Sequence, residues 1–193
     1  MHRLCIFCGS SPGRDPAYLA AAAELGTFLA KSRIGVVYGG AAIGLMGTVA
    51  NAARAAGGEV IGVIPRALVD LEVAHVGLAD LRIVASMHER KALMAELSDG
   101  FIALPGGIGT LEELFEIWTW GQLGSHRKPC GLLNVAGFFD HLLGFLDFVV
   151  HEGFLRPVHR SMLIVADTPT ILLQKLEGYR APPETQWVRR EDR

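Results

Sequence analysis

The amino-acid sequence predicts an α/β fold: one Rossmann-like, doubly wound domain built on a mainly parallel sheet of about seven strands. Two observations support this prediction. Short apolar runs alternate with longer helical stretches along nearly the whole chain, as expected for consecutive βαβ units in a sheet covered on both faces. The 193 residues also show no internal repeat and no shift in composition, so residues 1–180 are predicted to form a single domain.

The predicted elements are justified by apolar runs and by helix-boundary residues. Pro16 suits the first turn of a helix that starts after Asp15, the glycine pair 57–58 ends the second helix, and Thr168 precedes the last. Residues 181–193 are rich in Pro, Arg and acids and lack periodicity, so this tail is predicted to be mobile. Strands are predicted at 4–8, 35–38, 60–64, 81–84, 101–104, 131–134 and 162–166, and helices at 16–32, 45–56, 88–97, 111–122, 138–151 and 169–176.

Composition excludes several classes of protein. Lys and Arg total 18 and Asp and Glu total 20, so the net charge is 18 − 20 = −2, which argues against a broad basic surface for nucleic acid. Apolar runs are too short for a signal-peptide core or a membrane span. Three cysteines cannot all pair, which favours a reducing, cytoplasmic setting. Cys5 and Cys8 match CxxC, but on one strand they would face opposite sides and are predicted to be buried.

Four segments with unusual chemistry follow predicted strands or open the helices after them: CGSSPG, YGGAAIGLMG, SMHERK and PGGIGTLEE. Ligands of doubly wound sheets bind beyond the carboxyl ends of the strands. Glycines at 39, 40, 44 and 47 do not match GxGxxG and no P-loop follows, so a dinucleotide site is poorly supported. Both glycine loops suit a phosphate, although the first also suits a tight turn with close helix packing.

Thr110 in the second glycine loop is predicted to cap the following helix and to donate its hydroxyl to a phosphate oxygen. Glu112 and Glu113 then fall in the first helical turn, where the helix dipole favours carboxylates. Because adjacent helical residues point about 100° apart, at most one of the two faces a ligand.

Arg90 and Lys91 are predicted in the first turn of the helix 88–97, where the dipole disfavours cations. This placement indicates a ligand or a salt bridge, and ordinary solvated or ion-paired side chains are the alternative. Met87, Ala92 and Leu97 are predicted to bury this helix.

Together the motifs YGGAAIGLMG, MHERK and PGGIGTLEE resemble the LOG family of cytokinin-activating phosphoribohydrolases, over about residues 5–162. The resemblance implies hydrolysis of the N-glycosidic bond of an adenosine 5′-monophosphate, often N6-modified, to free base and ribose 5-phosphate. It places the catalytic pair on Arg90 and Glu113. Implied substrate-binding residues are Glu72, Lys91, Gly106, Gly107, Gly109, Thr110, Gly39, Gly40 and Met87.

Cleavage of a ribosyl C1′–N bond passes through an oxocarbenium-like state. Glu113 is hypothesised to stabilise this state, form a transient bond or activate water, while Arg90 binds phosphate, holds Glu113 ionised or assists the departing base. The backbone of Gly106 to Thr110 is expected to hold the phosphate.

No metal and no cofactor are expected, because the seven histidines show no ligand spacing and no lysine suits pyridoxal phosphate, despite the lysine decarboxylase label often given to the family. The helix 111–122 carries a broad apolar surface, which together with the resemblance predicts a homodimer. Two alternative functions stay open: a non-catalytic nucleotide or molybdenum-cofactor carrier of the same fold, and a DNA-processing protein, which the acidic balance disfavours.

Overall fold

Seven parallel strands form one sheet, which confirms the predicted fold class. The structure is a computed structural model that describes residues 1–69, 74–75 and 77–183. All six strand pairings are parallel, and the strand order is β4-β3-β2-β1-β5-β6-β7. The strands are β1 (Arg3–Phe7), β2 (Gly35–Tyr38), β3 (Val60–Pro65), β4 (Asp80–Val84), β5 (Gly100–Ala103), β6 (Cys130–Leu133) and β7 (Leu163–Ala166).

Helices cover both faces of this sheet, and every predicted helix is present within a few residues of its expected bounds. The sequence did not predict the single-turn helices α3 and α7 or the 3₁₀ turn Val135–Gly137, because one turn is too short to show periodicity. The helices in the described residues are α1 (Pro16–Lys31), α2 (Gly44–Ala55), α3 (Arg66–Val69), α4 (Met87–Glu96), α5 (Ile108–Gln122), α6 (Asp140–His151), α7 (Pro157–Arg160) and α8 (Pro169–Glu177).

The start of α5 differs from the prediction. Thr110 is not its N-cap: the helix begins at Ile108 after Gly107, which makes no side-chain capping bond. Thr110 therefore lies inside the first turn, which contains no acid, and Glu112 and Glu113 fall one turn later than predicted. The physical reason is that a glycine satisfies the N-cap geometry without a capping side chain, so the helix starts before the first residue with a capping hydroxyl.

Other helix starts follow their sequence signals. Asp15 accepts the Ala17 N–H at 2.8 Å at the start of α1, and Thr168 accepts from Ile171 at the start of α8.

The sheet separates two apolar clusters. One packs against α1, α2 and α8 and contains Cys8, while the other packs against α4, α5 and α6 and contains Cys5. Cys5 and Cys8 therefore lie on opposite faces, as predicted, and both are free and buried. The six apolar residues of α5 from Leu111 to Trp120 belong to the second cluster or pack against it, whereas Ile108 is exposed. Leu111, Phe115 and Trp120 are only partly buried, and the predicted contact of this surface with a partner subunit stays a prediction.

A topological switch point lies between β1 and β5. From β1 the chain builds β2, β3 and β4 on one side, then crosses over to build β5, β6 and β7 on the other. The loops that follow β1 and β5 consequently diverge and leave a crevice at the carboxyl edge of the sheet. The Gly9 N–H donates to Pro105 O at 3.0 Å across the floor of this crevice.

Two further expectations concern membrane-spanning helices and the C-terminal segment. None of the described helices is long and apolar enough to cross a membrane. The predicted mobility of 181–193 concerns a segment of which 184–193 lie outside the described residues, while Ala181 accepts a hydrogen bond from Arg127 at 3.4 Å.

Candidate active site

A cleft of about 310 Å³ opens at the switch point between β1 and β5. Residues from the loops after β1, β2 and β5 and from helices α2, α3, α4 and α5 form its walls. The lining residues are Ile6, Cys8, Gly9, Ser10, Gly39, Met46, Leu68, Met87, Arg90, Gly107, Ile108, Gly109, Thr110, Glu112 and Glu113.

Two larger depressions lie elsewhere, but their chemistry is less suited to an anionic ligand. One of about 670 Å³ at the amino edge of the sheet contains Arg3, whose guanidinium is already paired with Glu59 at 2.7 Å. The other, of about 640 Å³ beside α6, is lined by the acids Glu24, Asp140 and Asp167, which repel anions. The smaller cleft is therefore the better candidate site, because it combines a buried cation, a carboxylate and an open helix start.

Gly39 makes room for Arg90. A Cβ at position 39 would lie 1.9 Å from Arg90 Nη2 and 2.5 Å from Met46 Cε. The guanidinium occupies this space and donates from Nη2 to Gly39 O at 3.1 Å. Gly40 has a different role, since it packs against Ile64 and Leu81 and is not among the cleft-lining residues. The first glycine loop thus seats the arginine side chain.

Sequence reasoning did not select Gly9 and Ser10, although both line the cleft. Gly9 O accepts the Leu45 N–H at 3.0 Å, and a Cβ at Gly44 would lie 2.4 Å from the Ser10 carbonyl. Gly44 also has a φ of +55°, which a glycine adopts without strain. The available signal was that CGSSPG, like the other glycine loops, follows a buried strand.

The start of α5 is open to the cleft. A Cβ added to Gly107 or Gly109 would meet no atom within 4 Å. The first-turn N–H groups of a helix have no acceptor within it, and the helix dipole adds positive potential there. This end of α5 is therefore suited to an anion such as phosphate. Gly106 lies beneath it, because a Cβ there would lie 2.1 Å from Thr110 Oγ1 and 2.9 Å from Gly9 N.

Arg90 is a buried cation whose hydrogen-bonding groups are only partly used within the protein. Its side chain is on α4 and only 5% of the residue is exposed. Nη1 donates to Met87 Sδ at 3.7 Å and Nη2 to Gly39 O, but the buried Nε has no hydrogen-bond partner among the described residues. A buried charge with an N–H that has no acceptor is costly unless a ligand accepts the missing hydrogen bond.

Glu113 on α5 is half-buried and lines the same cleft as Arg90. Both charges act on the Cys5 thiol: burial raises its pKa well above the usual range, the Glu113 charge raises it further and the Arg90 charge lowers it. Burial and then Glu113 also raise the pKa of Cys8. The two predicted catalytic groups thus line one cleft and act on the same buried thiol of β1.

Lys91 is not among the residues that line the cleft. Its ammonium forms a close ion pair with Glu112 and a second with Glu116 at 2.9 Å, so the ion-paired alternative holds for this residue. Burial alone would lower the pKa of Lys91, but the contacts of its ammonium with the Glu112 and Glu116 carboxylates outweigh burial, and the pKa is raised.

The placement of α4 corrects two predictions. Arg90 and Lys91 are its fourth and fifth residues, after a first turn that contains Glu89 and is capped by Ser86, so the expected dipole penalty does not arise. Met87 and Ala92 are exposed rather than buried. The buried residues of α4 are Arg90, Lys91 and Met94, because its inner face meets Gly39 and the acids of α5.

The predicted site residues therefore divide into four groups. Those that line the cleft are Gly39, Met87, Arg90, Gly107, Gly109, Thr110 and Glu113. Gly106 supports the cleft from below, whereas Gly40 and Lys91 contact other groups. Glu72 lies outside the described residues.

Fold and cleft together define a Rossmann-like α/β protein whose site suits a phosphorylated small molecule. A family model described as "Possible lysine decarboxylase" matches residues 46–176. The chain is 52% identical over 181 residues to the probable cytokinin riboside 5′-monophosphate phosphoribohydrolase LOGL5 of Oryza sativa subsp. japonica, covering 94% of this chain and 74% of that protein. It is 50% identical to the cytokinin riboside 5′-monophosphate phosphoribohydrolase LOG7 of Arabidopsis thaliana, covering 92% and 82%. The chain belongs to this LOG family of phosphoribohydrolases.

Among solved structures, the molybdenum cofactor binding protein of Rippkaea orientalis matches with a TM-score of 0.68 at 21% identity, covering 91% of this chain and 95% of that one. This similarity concerns the fold alone.

Proposed function

We propose that this protein hydrolyses the N-glycosidic bond of adenosine 5′-monophosphates, including N6-modified ones, to the free base and ribose 5-phosphate. The observation that carries the proposal is the meeting of buried Arg90, Glu113 and the open start of α5 in one cleft. The names of the curated relatives support the same reaction.

The phosphate binds at the start of α5. The N–H groups around Gly107 and Gly109 are reachable there, and both glycines leave the approach open. Fixing the phosphate at this helix start holds the ribose over the second turn of α5, where Glu113 lies. Binding energy from the phosphate thereby contributes to orienting the scissile bond.

Glu113 acts at the sugar. As the C1′–N bond breaks, positive charge develops on C1′ and the ring oxygen, and a nearby carboxylate stabilises it or removes a proton from the attacking water. Water supplies the hydroxyl that ends on C1′, and the base leaves with the bonding electrons and gains a proton.

Arg90 is the other catalytic residue in this proposal. Nη2 donates to Gly39 O and Nη1 to Met87 Sδ, which leaves further N–H groups of this cleft-lining guanidinium to donate to the substrate or to its phosphate. A fixed guanidinium beside a carboxylate also favours the ionised form of that acid.

Chromatography of the free base released from AMP and from isopentenyladenosine monophosphate tests the function. We expect the wild type to release base, and Glu113→Gln and Arg90→Ala each to lower kcat by about 10²-fold or more. Glu96→Gln, at the far end of α4, is the control and should keep full activity. A wild type that binds AMP tightly without turnover would contradict the proposal and favour the nucleotide carrier.

We also propose a homodimer in a reducing, cytoplasmic setting. Exposed aromatic side chains support the dimer: Phe145 and Phe148 on α6 are 61% and 56% exposed, and Phe154 is 89% exposed. Three buried free thiols suit a reducing compartment. Static light scattering at micromolar concentration measures the assembly state.

A further inference from the structure

Lys91 joins the two helices that carry the catalytic pair. Its side chain is only 7% exposed and lies between α4 and α5, where its ammonium contacts Glu112 and, at 2.9 Å, Glu116. Glu112 and Glu116 are one helical turn apart on α5, so both reach the same cation from one face of that helix.

Lys91, Glu112 and Glu116 form an ion triad, two members of which are adjacent in sequence to a charged residue of the cleft. Lys91 follows Arg90 on α4, and Glu112 precedes Glu113 on α5. Because adjacent helical residues point about 100° apart, Arg90 reaches the cleft while Lys91 reaches α5. The triad therefore ties α4 to α5 within one residue of both proposed catalytic groups.

From this geometry we infer that Lys91 is a positioning residue: with Glu112 and Glu116 it sets the separation of Arg90 and Glu113. The inference rests on the proposed hydrolase function.

A second consequence concerns Glu112, which also lines the cleft. Its pairing with Lys91 offsets a negative charge that would otherwise repel the substrate phosphate.

The two carboxylates are not equivalent in this arrangement. The Glu116 side chain is 24% exposed and the Glu112 side chain 49% exposed, so the Lys91–Glu116 pair is the more shielded from solvent. Shielded ion pairs are screened less by salt, and their geometry is held more firmly. Glu116 is thus the more shielded partner, whereas Glu112 accepts the hydrogen bond of the Lys91 ammonium and lines the cleft.

Steady-state kinetics of Lys91→Met and Lys91→Arg test the inference. We expect Lys91→Met to lower kcat about 10- to 100-fold, and Lys91→Arg, which can still bridge both acids, to retain kcat within about threefold. Lys128→Met is the matched control, because Lys128 also contacts α4, at Ala95 O, but far from the cleft. It should leave kcat unchanged.

A double-mutant cycle with Glu113→Gln separates positioning from direct binding. If Lys91 acts through the catalytic pair, Lys91→Met should lower kcat little further in the Glu113→Gln background. Equal losses in both backgrounds, or a loss confined to KM, would overturn the inference.

If Lys91→Met does not fold by circular dichroism, Glu116→Gln takes its place, since it removes only one of the two ion pairs, and the same cycle applies. Normal kcat in a folded variant would overturn the inference while leaving the hydrolase function intact. An inactive wild type would instead refute the function itself.

Discussion

Arg90 and Gly39 depend on each other at the scale of single residues. The motifs in the sequence identified Arg90 as a functional residue, but no sequence signal indicated that Gly39 holds its guanidinium. That relation needs the tertiary contact between α4 and the end of β2, 51 residues apart. Likewise the ion pairs of Lys91 join positions 21 residues apart or more, and the sequence alone did not decide between a ligand and a salt bridge.

Gly39→Ala should reduce activity with little loss of stability. Gly39 does not have a positive φ, so alanine causes no backbone strain, and the added Cβ meets only the movable ends of Arg90 and Met46. The guanidinium must then leave its place beside Gly39 O. We expect kcat/KM for AMP to fall about 10-fold or more, while thermal unfolding shifts only slightly.

The same substitution at Gly144 is the control for this experiment. Gly144 lies in α6, where an added Cβ meets nothing within 4 Å. Alanine there should raise the free energy of unfolding by up to about 1 kcal/mol and leave activity unchanged. Full activity in Gly39→Ala would contradict the role assigned to the Arg90 position.

At the scale of helices and strands, the sequence predicted existence and type well and one important boundary poorly. Strands of four to six residues and long helices have apolar patterns and capping residues, so the sequence predicts their positions. The predicted start of α5 is wrong because Thr110 has a hydroxyl that could cap the helix. The helix instead begins at Ile108, after the N-cap residue Gly107, which has no capping side chain. Backbone conformation at glycine leaves no side-chain signal, and this limited the prediction at the site itself.

Asp99, before β5, gives a prediction for the pairing of β1 with β5. Its carboxylate accepts the backbone N–H groups of His2 and, at 3.1 Å, Arg3. Burial tends to raise the pKa of Asp99, but these backbone hydrogen bonds outweigh it and the pKa is lowered. A carboxyl whose folded pKa lies below its unfolded value of about 3.9 stabilises the fold at higher pH.

Asp99→Asn should therefore be less stable than the wild type above about pH 5. The difference should shrink as the pH falls through the folded pKa of Asp99, because the wild-type carboxyl is then protonated. Urea unfolding between pH 7 and pH 2.5 measures this difference in the free energy of unfolding. Asp167→Asn is the control, and a difference for Asp99→Asn that does not depend on pH would contradict this account.

At the scale of the whole molecule, topology rather than local sequence builds the site. The strand order places the loops after β1 and β5 side by side, although about 90 residues of chain separate them. The same fold occurs in the molybdenum cofactor binding protein at 21% identity, so the architecture alone does not determine the reaction. In this chain Arg90 and Glu113 both line the crevice, and the proposed reaction depends on these two side chains.

Because the crevice joins an anion site to a carboxylate, hydrolysis should depend on the 5′-phosphate. We expect kcat/KM for adenosine to be roughly 10²- to 10⁴-fold below that for AMP, since the nucleoside cannot use the start of α5.

Gly109→Asp places a negative charge at the start of α5 in open space and should raise KM for AMP. Gly109→Asn introduces a side chain of nearly the same shape as aspartate but without the charge, and it should raise KM much less. An acid near a helix start stabilises the helix, so a loss of activity in Gly109→Asp would not reflect unfolding. Equal hydrolysis of AMP and adenosine, or equal KM in the two variants, would remove the phosphate from the mechanism.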